Sequence, residues 1–166
     1  MGPFNENGLL NPGFHEYKLN EIDKIFVEDF SESQTRKEIY SGFLKWLKEL
    51  LNICIPNEIW IDGSFVTDKI NPNDVDLVYF IDVNDYSKNN EQINQLRELG
   101  IQNNCDTYIA FSPNSKLPAE LNNDITNKRN YWRGQFGFDR EDNPKGMIKI
   151  TKQSLILFLK EGIKDV

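Results

Sequence analysis

Apolar positions change their period several times along the chain, and each change marks a predicted element. Over residues 19–30, Ile22, Ile25 and Phe26 recur at helical spacing with Asn20 placed to cap them, which predicts a first helix. Ile39, Phe43, Leu47, Leu50 and Leu51 form a longer stripe over about 34–53. Thr35 and Glu38 have the spacing of a capping box there, and Pro56 ends the helix. EIWID (58–62) reads as a short strand, followed by a brief helical turn at 65–69 and an Asn-Pro-Asn-Asp turn at 71–74. Residues 74–82 (DVDLVYFID) are β-branched and aromatic, which predicts a second strand. A polar helix at 86–99 then leads to a third strand, CDTYIAF at 105–111. Residues 118–136 read as mainly helical, GMIKI (146–150) as a further strand, and KQSLILFLKEGI as a closing amphipathic helix.

Residues 1–17 are rich in Gly, Pro and Asn and read as an extended arm that Leu9, Leu10 and Phe14 pin to the body. No repeat or long linker divides 18–166, which therefore forms one domain. The order of elements predicts an α/β (α+β) fold, a small mixed sheet flanked by helices.

Composition narrows the class. With 19 Lys and Arg against 26 Asp and Glu the net charge is −7, the wrong sign for a passive binder of nucleic acid, so no extended DNA binding is expected. A local basic patch can still hold a small phosphate ligand. Cys54 and Cys105 form no CxxC pair, which argues against structural zinc or a disulfide scaffold. No apolar run reaches the roughly 20 residues that span a bilayer. The first residues show neither a basic nor an apolar leader region, so no membrane association and a cytoplasmic location are expected.

The chemistry gathers in IDGSFVTDKINPNDVDLV (61–78). Asp74 and Asp76 lie two apart on a strand, so both carboxylates emerge on one face, roughly 6–7 Å apart at the backbone. Val75, Leu77 and Tyr79 point the other way. Paired carboxylates repel unless a proton or cation sits between them, and a hard divalent cation with oxygen ligands relieves this while bridging to phosphate. Asp74 taken alone also suits a turn cap, whereas Asp76 inside an apolar strand is costly to bury unpartnered. Gly63-Ser64 directly after a strand lets the backbone approach a ligand and adds a hydroxyl, a cradle for an anion such as a triphosphate.

A Gly-Ser pair, nine intervening residues, Asp74-Val-Asp76 in an apolar strand and a later strand bearing Asp106 resemble the nucleotidyltransferase superfamily typified by DNA polymerase beta. The resemblance covers about residues 59–111, and the chain's size is similar to that of minimal bacterial members, which include antitoxin partners of HEPN toxins. It implies a nucleotidyltransferase fold, with Gly63 and Ser64 as the phosphate-binding turn. It further implies that Asp74, Asp76 and Asp106 are catalytic ligands of two Mg2+ ions, with Mn2+ as an alternative. Asp106, flanked by Cys105 and Thr107, sits in a less apolar setting than the family's usual one. The activity implied is transfer of a nucleoside monophosphate from a nucleoside triphosphate to an acceptor hydroxyl on protein or RNA. A toxin–antitoxin or phage-defence setting follows by analogy only, with a cognate toxin as partner. The competing class keeps the fold without catalysis, as a nucleotide-binding or toxin-masking module.

A second cluster, Lys128-Arg129-Asn130-Tyr131-Trp132-Arg133, interleaves cations with aromatic rings. Lys128, Arg129 and Arg133 are candidate triphosphate ligands, because such a ligand needs positive partners besides magnesium. The same pattern also suits the end of an ordinary amphipathic helix, with Trp132 and Phe136 packed and the charges solvated. His15, the one histidine, lies in the arm, which disfavours Ser-His-Asp or Cys-His chemistry.

Overall fold

The computed structural model describes residues 2–161. Its elements in chain order are β1 (Gly13–Glu16), α1 (Leu19–Asp23), a π-helical turn (Lys24–Glu28), α2 (Arg36–Ile53) and β2 (Glu58–Asp62). A single 3-10 turn (Ser64–Val66) precedes β3 (Val75–Ile81), α3 (Val83–Gln102), β4 (Cys105–Phe111), α4 (Ala119–Phe136), β5 (Gly146–Thr151) and α5 (Lys152–Glu161). The sheet order is β1-β5-β2-β3-β4, so the expected small mixed sheet flanked by helices is present. β1 with β5 and β3 with β4 pair in parallel, while β2 runs antiparallel to both its neighbours. No described helix is long and apolar enough to cross a membrane.

Period-2 alternation divides the sheet into two packed faces. Ile59, Ile61, Leu77, Tyr79, Ile81, Ile148 and Ile150 join Phe43, Trp46, Leu47 and Leu50 of α2 in the larger core. Trp60, Val78, Phe80, Ala110 and Met147 face the other way and are covered by Trp132 and Phe136 of α4. Side-chain hydrogen bonds to backbone carbonyls fix the helices on the larger face. Trp46 Nε1 donates to Leu96 O of α3 at 3.0 Å, and Tyr40 Oη to Leu19 O of α1 at 2.7 Å.

Several local expectations shift. The arm contributes an edge strand: β1 pairs with β5, Leu10 is buried, and Phe14 packs on Trp60 at 4.8 Å. Its Gly, Pro and Asn content conceals a strand only four residues long. Thr35 caps nothing; the Ser33 hydroxyl accepts the N–H of Arg36 at 3.1 Å instead. Lys18, not Asn20, is the first N-cap, and its N–H is taken by the Glu21 carboxylate at 2.7 Å. α3 is longer than expected and breaks its helical angles at Asn89, with φ −133° and ψ 27°. Gly162 and Ile163 of the expected closing helix lie outside the described residues.

Arg36, at the start of α2, is fully buried. Its guanidinium donates to the carbonyls of Phe26 (2.8 Å), Phe65 (2.7 Å), Thr67 (2.8 Å) and Lys69 (2.6 Å), and lies 3.6 Å from the Phe30 ring centroid. The π-helical turn makes this possible. The Phe30 N–H bonds Val27 O rather than Phe26 O, leaving the Phe26 carbonyl for the arginine. Burial lowers the guanidinium pKa to about 10, so it stays charged at neutral pH with carbonyl oxygens as its partners.

Replacing this residue by Arg36→Met leaves four carbonyls without their donor, and urea unfolding at pH 7 should show a loss of more than about 3 kcal/mol. Arg36→Lys should recover less than half of that, since an ammonium cannot span the same carbonyls. A Met variant within about 1 kcal/mol of the parent refutes this role for the residue.

Candidate functional site

Strand register builds the site. Asp62 of β2 lies opposite Asp76 of β3, and Asp76 lies beside Asp106 of β4. Paired residues on neighbouring strands share a face, so the three carboxylates form one row at the end of the sheet, with roughly 5 Å between adjacent positions. The next rows inward are apolar, with Trp60, Val78 and Tyr108 and then Phe80 and Ala110 under α4. Asp74, exposed just ahead of β3, lies along the strand from Asp76. All four aspartates line one cleft of about 860 Å3, together with Gly63 and Ser64.

Gly63 ends β2 with φ 87°, a backbone conformation that side chains disfavour. A Cβ on this residue would come within 2.7 Å of the Asp76 carboxylate, so glycine is required both by angle and by space. The turn it makes places Ser64 at the cleft wall.

The carboxylates have different partners. Asp62 and Lys145 form an ion pair whose side chains are each 8% exposed. Burial pushes the Asp62 carboxyl above its ordinary value, and the neighbouring Lys145 ammonium draws it back. Asp106 accepts a 2.8 Å hydrogen bond from the Tyr108 hydroxyl and lies 4.0 Å from Arg97. Asp76 has only unfavourable company apart from Lys145: burial, then the charges of Asp74, Asp106 and Asp62, raise its pKa to about 6. Hence Asp74, Asp76 and Asp106 offer hard oxygen donors whose chemistry fits magnesium or manganese, while Asp62 already has the Lys145 ammonium as its partner. Among the described residues no three His, Cys, Asp or Glu side chains converge into a finished cage. Lys145 and Tyr108 hold the two ends of the row in their own bonds.

Lys128, Arg129 and Arg133 are not among the residues lining the cleft. Arg129 instead pairs with Glu58 at 2.8 Å and lies 4.7 Å from the Trp60 ring, which clamps α4 to the sheet. The reason is helical period. Tyr131, Trp132, Gln135 and Phe136 occupy the last turns of α4 over the carboxylate end, and Arg129 falls about a turn before Trp132, over the inner rows. Lys128 lies 4.6 Å over Tyr131, and Lys128 and Arg133 are both exposed. The cations that do line the cleft are Lys69, Arg140 and Lys145, none of which sequence reasoning singled out. Asp62 was also missed, although a carboxylate ending an apolar strand directly before Gly63 was a visible signal. Lys145 offered none, because only tertiary pairing brings it to Asp62.

The raised pKa of Asp76 has a sign that can be measured. A carboxyl whose folded pKa is about 6 instead of 3.8 stabilises the protein while protonated, an effect complete below about pH 4 and lost as pH rises through 6. In EDTA, Asp76→Asn should therefore melt above the parent at pH 7.5, by about 1 kcal/mol after solvent screening, and match it near pH 4. A gain that is the same at both pH values removes ionisation of Asp76 as its source.

Neither the curated proteins nor the solved structures include a match to the chain. One family does match, over residues 2–151, which takes in the arm, all five strands and every residue of the carboxylate row. The chain belongs to that family, the family of unknown function DUF6932.

Proposed function

We propose that this protein is a magnesium-dependent nucleotidyltransferase that moves a nucleoside monophosphate from a nucleoside triphosphate to an acceptor hydroxyl. The observation that carries the reading is the carboxylate row of Asp62, Asp76 and Asp106 with Asp74 alongside, lining a large cleft beside the Gly63-Ser64 turn. The resemblance of that segment to the DNA polymerase beta-like superfamily supports it. Asp74, Asp76 and Asp106 would hold the metal ions, which when bound supply Lewis-acid neutralisation of the phosphate charge. Gly63 keeps the backbone low enough for phosphate to approach, and Ser64 offers a hydroxyl donor. Asp106 and Tyr108 form a hydrogen-bonded pair able to orient an acceptor hydroxyl and receive its proton. The exposed rings of Tyr131 and Phe138, at the cleft wall, give a planar base a surface to stack on.

A non-catalytic nucleotide-binding or toxin-masking module is the second reading. It is favoured by the Tyr108–Asp106 bond, which already occupies an oxygen of the third carboxylate.

Calorimetry with the four ribonucleoside triphosphates should give binding in magnesium that EDTA abolishes; equal affinity in both conditions overturns the metal-bridged site. Incubation of alpha-phosphate-labelled triphosphates with magnesium or manganese and RNA or protein acceptors should yield labelled acceptor and pyrophosphate. Asp76→Ala should lose this product by at least a thousandfold, about 4 kcal/mol, with a native melting curve. Metal-dependent binding without any product supports the second reading instead.

A further inference from the structure

We propose that Lys145 is a phosphate-contacting residue of the cleft, parked against Asp62 until a polyphosphate ligand arrives. The proposal rests on the nucleotide-binding reading of the same cleft. It starts from an ion pair that stability does not call for. Lys145 and Asp62 are each 8% exposed, and both still line the cleft. Burying two charges costs desolvation that their attraction scarcely repays, so packed apolar residues would serve the core as well. Their position therefore points to ligand chemistry.

The lysine is set in place by the chain around it. Its backbone N–H bonds Gly137 O at 2.8 Å, and the N–H of Gly146 bonds Leu10 O at 2.9 Å. The backbone that carries the side chain is thus fixed from both sides, between the end of α4 and the N-terminal arm. The ammonium carries three donors, and among the described residues Asp62 is its hydrogen-bond partner. Lys69 and Arg140, the other cations on the cleft wall, are exposed, where solvent and salt screen them. Lys145 sits in the drier floor next to the carboxylate row, where a charge-assisted bond to a phosphate oxygen is strongest. A compact ammonium suits a phosphate chain, being a point charge that makes no demand for a planar partner.

The chemical class is a di- or triphosphate rather than a monophosphate. Five aspartates line the cleft, Asp139 with the four already named, and repel a single phosphate; only a chain long enough to engage bound cations and Lys145 together gains from both. The polyphosphate could belong to a nucleotide or stand alone, so the probes must separate the two.

Lys145→Met alone strands a buried carboxylate, so the test uses charge-balanced pairs. Asp62→Leu with Lys145→Met replaces the pair by packing. Asp62→Asn with Lys145→Gln keeps a neutral hydrogen bond and serves as the second fold-competent variant. Both keep the parent's net charge. Calorimetry in magnesium compares nucleoside triphosphates, nucleoside monophosphates and inorganic tripolyphosphate, with a melting curve for each variant. At least a tenfold loss for triphosphate, with less than threefold change for monophosphate, is expected from either folded variant. An equal loss for tripolyphosphate assigns the contact to the phosphate chain itself, whereas loss for nucleotides alone assigns it to the nucleotide's phosphates. Either folded variant binding triphosphate within twofold of the parent overturns the role of Lys145 and leaves the cleft's function standing. A parent protein that binds no triphosphate removes the nucleotide-binding reading and this role with it.

Discussion

The guanidinium of Arg36 must find oxygen partners inside the fold, and those it bonds are backbone carbonyls from two separate stretches of chain. One is the π-helical turn after α1, which breaks α-helical bonding and releases Phe26 O. The other is the loop 65–69 that follows the Gly63 turn. A single buried charge thereby locks the first helices to the loop at the edge of the candidate site. The N-terminal arm reinforces the same loop, since Gly8 O accepts the Asp68 N–H at 2.9 Å and Leu9 bridges Thr67. Asp68 lends this charge a longer-range attraction, but the direct hydrogen bonds go to carbonyls, so carbonyl positions set the loop geometry.

With that loop fixed, the sheet register decides the chemistry. Asp62, Asp76 and Asp106 come from three segments separated in sequence, and they meet because β2 and β3 pair antiparallel while β3 and β4 pair parallel. A one-residue slip in either pairing would turn a carboxylate into the larger core, where no partner waits. The buried residues alternating with them, Ile61, Leu77 and Thr107 among others, enforce the register by burial on the opposite face. The repulsion stored in the row is held by the same burial. Asp76 carries most of that repulsion, since burial and its three carboxylate neighbours all disfavour its charge.

The two ends of the row differ in kind. Lys145 neutralises Asp62 through a buried pair, while Tyr108 holds Asp106 by a neutral donor at a half-exposed edge. An asymmetric row has a closed end and an open end, and Asp74 and Asp76 stand between them as the carboxylates with most to gain from a cation. The aromatic rings of α4 and the loop after it form the remaining wall, so the cleft joins a charged floor to an apolar side.

The sequence by itself determined four of the five strands, most helices and which polar residues gather at the cleft. β-branched and aromatic runs such as residues 75–81 and 105–111 leave little freedom; Asp76 and Asp106 stand out because they interrupt those runs, and Gly63, Ser64 and Asp74 because they sit in the flanking turns. Local signals misled where tertiary contacts outweighed them: Ser33 replaced Thr35 as a cap, and four residues of a Gly- and Asn-rich arm became an edge strand. Only the tertiary structure decided which cations face the carboxylates. Arg129 and Lys145 are both basic residues on the page of the sequence, yet one clamps α4 to Glu58 and the other meets Asp62 across 83 positions. Helical period and chain reversal set those encounters, and charge pattern along the chain carries no record of either.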